Sequence, residues 1–313
     1  PGDNLVWQAE AMADFAPFPG SEVVALMATE QSTDPRLTLE ISERDLPVMS
    51  VVAGQALELL ADDRTTNRQI EQLIGRDVAL AQRILAVANS PFYCGLRASQ
   101  TISGAVMRLG IRQLRRVILT AATGELFDTG DPVMQRIWSH SLATAMAAAR
   151  LAEAIAPDLA ETAYVAGLLH DVGKIVIYQQ HPAVYGDLLA EADAAQRPLH
   201  DLEQERLAYF THASVGGLAI RRWQLDPALT EAARAHHLLE TEIPSWLQHH
   251  ALVSLVSLAN RLVAAAGLGG PGPSEAQLID SPIAQTLHLT PERLSGLARR
   301  VDQVLEENRA HLR

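Results

Sequence analysis

Cysteine, long apolar runs and targeting signals are scarce or absent in this sequence of 313 residues. A single cysteine, Cys94, excludes an intramolecular disulfide framework and a cysteine-rich zinc site, and it is consistent with the cytoplasmic location that we expect. Since no run of about 18 apolar residues is present, we expect no transmembrane helix. The amino-terminal residues also lack the basic start and apolar core of a signal peptide. The chain begins at Pro1, which indicates a fragment that could lack a preceding module.

Aromatic residues are also scarce, at 4% of the chain. This fraction is low for a β-sandwich or a β-barrel, because strands favour aromatic and β-branched side chains. Alanine and leucine dominate instead, and both favour helices. Hydrophobic residues make up 48% of the chain, enough for a folded core. The composition therefore predicts an all-α protein.

Basic residues are outnumbered, with 25 Lys and Arg against 37 Asp and Glu, so the formal net charge is −12. Proteins that bind nucleic acids generally, or anionic membrane surfaces, carry surfaces rich in lysine and arginine. We therefore expect neither general nucleic-acid binding nor a membrane partner. The charge does not predict an oligomeric state.

Helix start and stop signals divide the chain into four parts. Thr66 and Gln69 form a predicted capping box, and Asp131-Pro132 opens a long helix. One continuous helix is predicted over about 159–179, and Ser21 to Glu30 could form a short helix. The predicted parts are an N-terminal extension (1–43), an N-terminal helical half (44–130), a second helical half (131–266) and a C-terminal extension with a terminal helix (267–313).

Histidines and one aspartate at inward-facing positions are the candidate site residues. His170 and Asp171 lie among leucines and valines, and a buried carboxylate is costly unless it is paired or bound to a metal. His140 lies on the apolar stripe of its own helix, where apolar residues recur at three- and four-residue steps. Asp171 could simply pair with Lys174 or with His140, so a structural cluster and a metal site both stay open.

Three more histidines lie at helix ends. His212 opens a helix whose Gly216 permits close approach of another element, and His236-His237 end a helix, where the partial negative charge favours a cation. Imidazole and carboxylate together suit Fe, Mn, Zn or Ni better than Ca. From the residues alone, a divalent transition-metal site and a structural cluster of hydrogen-bonded side chains both stay open for this set.

The order of these residues resembles the HD-domain superfamily of metal-dependent phosphohydrolases, and more closely its HDOD branch, the HD-related output domains. The resemblance spans about 44–265 and includes the motif Gly-Leu-Leu-His-Asp-Val-Gly-Lys at 167–174. Its other motifs are Leu46-Pro47, 74–80, 84–91, 102–110, 138–141, 212–223 and His236-His237.

The resemblance implies a two-part helical bundle, with an N-terminal helical subdomain and an HD-like C-terminal helical subdomain. It implies that His140, His170 and Asp171 bind one metal ion, and that Asp171 bridges to a second ion. The resemblance gives that second ion the ligands His212, His236 and His237. In an enzyme of this superfamily, Asp171 and Lys174 would be catalytic, with Lys174 contacting a substrate phosphate.

One position departs from the pattern, because Asn260 stands where HD enzymes usually place an aspartate. An amide oxygen is neutral and a weaker ligand than a carboxylate, so Asn260 is predicted to be a weak metal ligand. The Gly-Tyr-Pro signature of cyclic-di-GMP phosphodiesterases is absent after His237, which disfavours that activity.

Two functions follow from the resemblance. The first is a signal-transduction output module of a bacterial-type regulator, which binds a signalling protein or a small phosphorylated ligand and is not an enzyme. The alternative is an active metal-dependent phosphohydrolase acting on a nucleotide or phosphoester. Asn260 favours the first function, and the retained histidines with Asp171 favour the second.

Overall fold

The structure is a computed structural model, and it describes residues 41, 43–47, 51–59, 64–93, 98–124, 130–207, 210–237, 247–279 and 281–312. The predicted helix between Ser21 and Glu30 lies outside these residues. Every regular element in the described ranges is a helix, which confirms the all-α prediction. No described helix has both the length and the apolar character needed to cross a membrane.

The N-terminal helices pack around a core of their own. They are α1 (Val51–Leu59), α2 (Asn67–Ile74), α3 (Val78–Ala88) and α4 (Ile102–Gly124). Thr66 and Gln69 form the predicted capping box at the start of α2. Gly110 interrupts α4 with φ 70° and ψ 170°, a backbone conformation that is almost restricted to glycine. Buried side chains such as Ile70, Ile84 and Leu114 fill this core.

A second core surrounds the long helix α5 (Pro132–Ile155). The helices that follow it are α6 (Ala160–Leu169), α7 (Val172–Gln180), α8 (Pro182–Ala195), α9 (Leu199–Arg206), α10 (His212–Arg222), α11 (Pro227–Ala235) and α12 (His250–Ala265). The last helices are α13 (Glu275–Ile279), α14 (Pro282–Thr286) and α15 (Pro291–Glu307). Buried alanines on α5 allow close packing with α6 and α12.

Polar contacts join the two groups of helices. The hydroxyls of Thr120 on α4 and Tyr164 on α6 lie 2.9 Å apart. The indole N–H of Trp223 donates to the backbone carbonyl of Pro47 over 2.6 Å. The first contact positions α6, which leads into His170, against α4, and the second ties the end of α10 to the segment that precedes α1.

The predicted single helix over 159–179 is wrong, because the chain breaks into α6 and α7 at His170 and Asp171. Asp171 has φ −104° and ψ 11°, outside the helical region. The two glycines beside the break explain the path of the chain. A Cβ atom on Gly167 would lie 2.9 Å from the carbonyl of Thr144, and one on Gly173 would lie 2.0 Å from the carbonyl of His212. These backbones therefore touch where a side chain would hold them apart.

Candidate metal centre

Asp171 is the centre of a buried cluster of imidazole rings and is itself only 1% exposed. Its Oδ2 atom lies 3.3 Å from Nε2 of His140 and 3.3 Å from Nε2 of His170. Its Oδ1 atom lies 3.2 Å from Nε2 of His212 and 3.6 Å from Nε2 of His236. Each carboxylate oxygen thus faces two rings, and the four rings come from α5, the α6–α7 break, α10 and the end of α11.

Backbone carbonyls fix the orientation of three of these rings. The Nδ1 atoms of His140, His170 and His236 lie 3.1, 2.7 and 2.8 Å from the carbonyl oxygens of Leu268, Gly167 and Ala233. Because a carbonyl oxygen only accepts, the ring proton is on Nδ1 and the lone pair of Nε2 points at Asp171. Histidines that bind metals in proteins are held by the same kind of contact.

A buried carboxylate holds the fourth ring. Oε2 of Glu203 lies 2.6 Å from Nδ1 of His212 and 3.1 Å from its backbone nitrogen, and the Tyr185 hydroxyl donates to Oε1 of Glu203. Burial alone would lower the pKa of His212, but the charge of Glu203 outweighs it and raises that pKa. Burial would likewise raise the pKa of Glu203, but the charge of His212 lowers it. Glu203 therefore orients His212 and compensates its charge.

His237 and His200 extend the cluster outward. Nε2 of His237 lies 3.0 Å from Nε2 of His212, and the ring of His200 stacks on that of His237 with centroids 4.3 Å apart. Among the residues that the structure describes, three groups each bring their possible ligand atoms within 4.8 Å of one another. These groups are His140 with His170 and Asp171; Asp171 with His212 and His236; and His200 with His212 and His237.

The protonation states of the imidazole rings in the cluster are compatible with the binding of a cation. Burial lowers the pKa of His140, lowers that of His236 to about 3, and lowers that of His237 well below its usual value. These rings are therefore uncharged at neutral pH and present lone pairs. In addition, Nε2 of His170 and Oδ1 of Asp171 are buried without a hydrogen-bond partner. Converging lone pairs around a buried carboxylate suit a divalent transition metal.

Lys174 provides a counter-charge beside this carboxylate. Its Nζ atom lies 2.6 Å from Oδ2 of Asp171, and the residue is 9% exposed. Burial would raise the pKa of Asp171, but the neighbouring His170 and Lys174 lower it well below the usual range. The pairing of Asp171 with Lys174 that was considered from the sequence therefore exists together with the histidine cluster. Lys174 neutralises part of the buried negative charge.

A glycine-rich loop after α12 closes over His140. Gly267, Gly269 and Gly270 have φ values of 85°, 99° and 119°. The carbonyl of Leu268 contacts Nδ1 of His140, and a Cβ atom on Gly269 would lie 2.1 Å from the same nitrogen. The absence of a side chain at Gly269 therefore lets this loop reach the ring.

We expect Gly269→Ala to weaken metal binding by about 10- to 100-fold, the range seen when a ligand loses its supporting contact. The added methyl group must push the His140 ring away from its carbonyl partner. Gly270→Ala is the matched control, because Gly270 also has positive φ but a Cβ atom there meets nothing within 4 Å. Equilibrium dialysis against Mn²⁺ measures the effect, and equal Mn²⁺ binding by the two variants would contradict it.

The pKa shifts also predict how the stability of the metal-free protein depends on pH. Burial lowers the pKa of His200 from 6.5 to about 4 and that of His236 to about 3. At a pH between these pKa values and 6.5, the unfolded chain binds more protons than the folded chain. The stability that these groups contribute is therefore complete above about pH 6.5 and is lost as the pH falls. The raised pKa of His212 has the opposite effect on stability, but it concerns one histidine, whereas several histidines have lowered pKa values.

We expect the free energy of unfolding of the chelator-treated protein, measured with urea, to fall from about pH 7 to about pH 4.5. Each histidine with a lowered pKa contributes up to about 1.4 kcal/mol per pH unit. The double variant His200→Gln/His236→Gln should show a shallower dependence on pH. The same slope in the variant and in the native chain would show that these rings are not the cause.

The structure brings together six of the residues predicted from the sequence, namely His140, His170, Asp171, Lys174, His212 and His236, and places His237 beside them. Asn260 is half-buried on α12, one turn beyond Ser257, whose hydroxyl donates to the carbonyl of His236. Its assignment as a weak ligand stays a prediction, as do the catalytic roles of Asp171 and Lys174.

Sequence reasoning missed His200 and Glu203, which both contact the cluster. Their spacing of three residues was the available signal, since it places both on one face of α9, a helix that ends shortly before His212. A charged residue on a short helix is usually solvated, and only the packed structure reveals that Glu203 is 0% exposed.

Comparisons with known proteins place the chain in a family. The sequence model of the HDOD domain matches residues 46–239. An uncharacterized protein of Treponema pallidum (strain Nichols) is 26% identical over 236 residues, which are 74% of this chain and 45% of that protein. The chain therefore spans about half the length of this curated relative.

Solved structures with the same fold agree with this match. The crystal structure of an HDOD domain protein with unknown function from Geobacter sulfurreducens is 26% identical, with a TM-score of 0.72 over 85% of this chain and 92% of that one. A candidate signal transduction protein from Marinobacter aquaeolei VT8 is 20% identical, with a TM-score of 0.68 over 86% of this chain and 59% of that one, and this likeness shows the fold alone. Since the family match covers more than half of the sequence, the chain belongs to the HDOD domain family.

Proposed function

We propose that the chain is a signal-transduction output module whose buried centre binds one or two divalent transition-metal ions and does not turn over a substrate. The observation that carries this proposal is the convergence of four Nε2 atoms on a carboxylate that is only 1% exposed. Such a site favours holding an ion over admitting a large substrate. The binding partner would be a signalling protein or a small phosphorylated ligand.

The space around the centre supports this proposal. A cavity of about 40 Å³ reaches Asp171 and Lys174, and the loop at Gly269 forms part of its wall. At roughly 10–15 Å³ for each water, this cavity holds only a few water molecules. A wider hollow of about 490 Å³ lies beside it and shares Arg136 and His140, but its lining does not include Asp171. A partner or ligand could occupy the hollow without touching the carboxylate.

The residues present would hold the metal in two groups. His140, His170 and Asp171, with Asn260 as a weak fourth ligand, would bind one ion, and Asp171 with His212, His236 or His237 would bind a second. When bound, such an ion neutralises phosphate charge and lowers the pKa of water. The chain's own contribution is to exclude bulk water and to fix the rings of His140, His170, His212 and His236 through their Nδ1 contacts. The neutral amide of Asn260 would leave the first group with less negative charge.

A metal-dependent phosphohydrolase is the second candidate. The observation that favours it is the lining of the small cavity, where Lys174 lies beside Asp171 and the guanidinium-bearing residues Arg136 and Arg197 stand nearby. Cationic side chains next to a metal group are the usual means of holding a phosphoester. In this structure Arg136 is paired with Asp193 and Arg197 with Glu205, so neither guanidinium faces the cavity alone.

Elemental analysis of the purified chain, followed by a hydrolysis screen with nucleotides and phosphodiesters in added Mn²⁺ or Fe²⁺, tests the proposal. We expect bound metal without turnover, in the native chain and in Asn260→Asp. Turnover that Asp171→Asn abolishes would establish the hydrolase instead. A chain that binds no metal, and whose stability His170→Ala leaves unchanged, would contradict both candidates.

A further inference from the structure

His212 has only one ring nitrogen available for a metal ion. Its Nδ1 atom is held by Glu203 at 2.6 Å, so Nε2 alone is free. That atom lies 3.2 Å from Oδ1 of Asp171 and 3.3 Å from Nε2 of His236, which form one group with it, and 3.0 Å from Nε2 of His237, which belongs to the other group. Because one imidazole lone pair binds one cation, the two groups that share His212 are alternatives.

We call Asp171, His212 and His236 the inner group and His200, His212 and His237 the outer group. The outer group consists of imidazoles alone. Possible ligand nitrogens of His200, His212 and His237 lie within 4.8 Å of one another, and the rings of His200 and His237 are nearly parallel, at 13°. His200 is 9% exposed, and its Nδ1 atom has no hydrogen-bond partner. The other nitrogen of His200, Nε2, lies 3.0 Å from Nε2 of Gln204. Oε2 of Glu203 lies 3.9 Å from Nδ1 of His200.

We propose that His200, His212 and His237 form an all-imidazole site for a borderline divalent cation such as Zn²⁺, and that this site excludes an ion at Asp171, His212 and His236. The inference rests on the proposed function, since it requires that the cluster binds metal. Imidazole ligands suit Zn²⁺, whereas a group that includes a carboxylate suits Mn²⁺ better. The kind of ion therefore decides which position is filled.

This arrangement gives the cluster a response to metal identity. Lys174 contacts Oδ2 of Asp171 at 2.6 Å, so an ion in the outer position leaves Oδ1 of that carboxylate without a cation. An ion in the inner position takes the carboxylate oxygen that faces His212 and His236. The two loaded forms thus differ in the charge left at the cavity that Asp171 and Lys174 line.

Calorimetric titration of the chelator-stripped full chain with Zn²⁺ and with Mn²⁺ tests the inference. We expect His200→Gln and His200→Ala, which both lack the imidazole, to weaken Zn²⁺ binding at least tenfold and to change Mn²⁺ binding less than about twofold. His236→Gln should instead weaken Mn²⁺ binding at least tenfold and change Zn²⁺ binding less than about twofold. His250→Ala is the matched control, because His250 is an exposed histidine at the start of α12 and should affect neither ion. Thermal melts establish that each variant is folded.

The visible spectrum of bound Co²⁺ is a second measurement that does not depend on affinity. We expect the spectrum of the native chain to change in His200→Gln and to persist in His250→Ala. If both His200 variants weaken Zn²⁺ and Mn²⁺ equally, or weaken neither, the outer site is refuted while metal binding by the cluster stands. If the native chain binds neither ion, the proposed function fails together with this inference.

Discussion

Asp171→Asn is expected to abolish metal binding at every position that uses this carboxylate, with a loss in affinity of more than about 100-fold for Mn²⁺. Both carboxylate oxygens face imidazole nitrogens, so one substitution removes the shared anion of two groups. The asparagine amide has the same shape as the carboxylate but keeps only one oxygen, which is neutral. Its NH₂ group is a hydrogen-bond donor and would face the ring nitrogens of the cluster. Metal content after dialysis measures the loss, and Asp193→Asn, at the cavity wall and outside these groups, is the control.

The same substitution should also destabilise the metal-free protein, and this effect can be separated from the loss of the ligand. It leaves the buried ammonium group of Lys174 without its counter-charge, and breaking a buried ion pair from one side costs about 3–5 kcal/mol. We expect the double variant Asp171→Asn/Lys174→Met to regain most of that stability and still to bind no Mn²⁺. Recovery of metal binding in the double variant would show that Asp171 acts only through folding.

Gly173→Ala is expected to destabilise the fold by about 3 kcal/mol or more, near the upper end for an overpacked site. The added Cβ atom would lie 2.0 Å from the carbonyl oxygen of His212 and 2.6 Å from the backbone nitrogen of Gly216. Both contacts are with backbone, so no side-chain rotation relieves them and α7 must move away from α10. Since His212 opens α10 and Asp171 precedes α7, the variant should also lose metal.

Thermal denaturation measures this effect, with an expected fall in melting temperature of roughly 5 °C or more. Gly186→Ala is the control within a neighbouring helix, because a Cβ atom there meets only a ring carbon of Tyr178, at 3.8 Å. That variant should be as stable as the native chain or slightly more so, as alanine favours a helix. A Gly173→Ala protein with an unchanged melting temperature would contradict the close approach of α7 and α10.

Local signals predicted much of this fold, because each acts within a few residues. The capping box at Thr66, the helix opening at Asp131-Pro132 and the terminal helix in the C-terminal extension all form as predicted. The break at His170 and Asp171 could not be predicted in this way. It lies beside a long-range contact, the close approach of the His212 backbone to Gly173, which no local signal reveals.

In the candidate site, too, local features could be predicted from the sequence and long-range contacts could not. The residue types at His140, His170 and Asp171 are informative in sequence, since buried imidazoles and carboxylates need partners. The partners that fix the rings are mostly backbone carbonyls, and a backbone carbonyl has no sequence signature. Glu203 is the exception, and its burial follows from how α9 packs and not from its neighbours in sequence.

The contact between His140 and the carbonyl of Leu268 bears on where this module can be cut. The family match ends at residue 239, but the ring of His140 is held from residue 268. The helices α12 and α15, which also lie beyond the match, pack against α5, the helix that carries His140. A fragment trimmed to the family boundary would keep every predicted ligand except Asn260 and would lose the support of the first one. Domain transplantation and fragment expression should therefore retain the C-terminal extension.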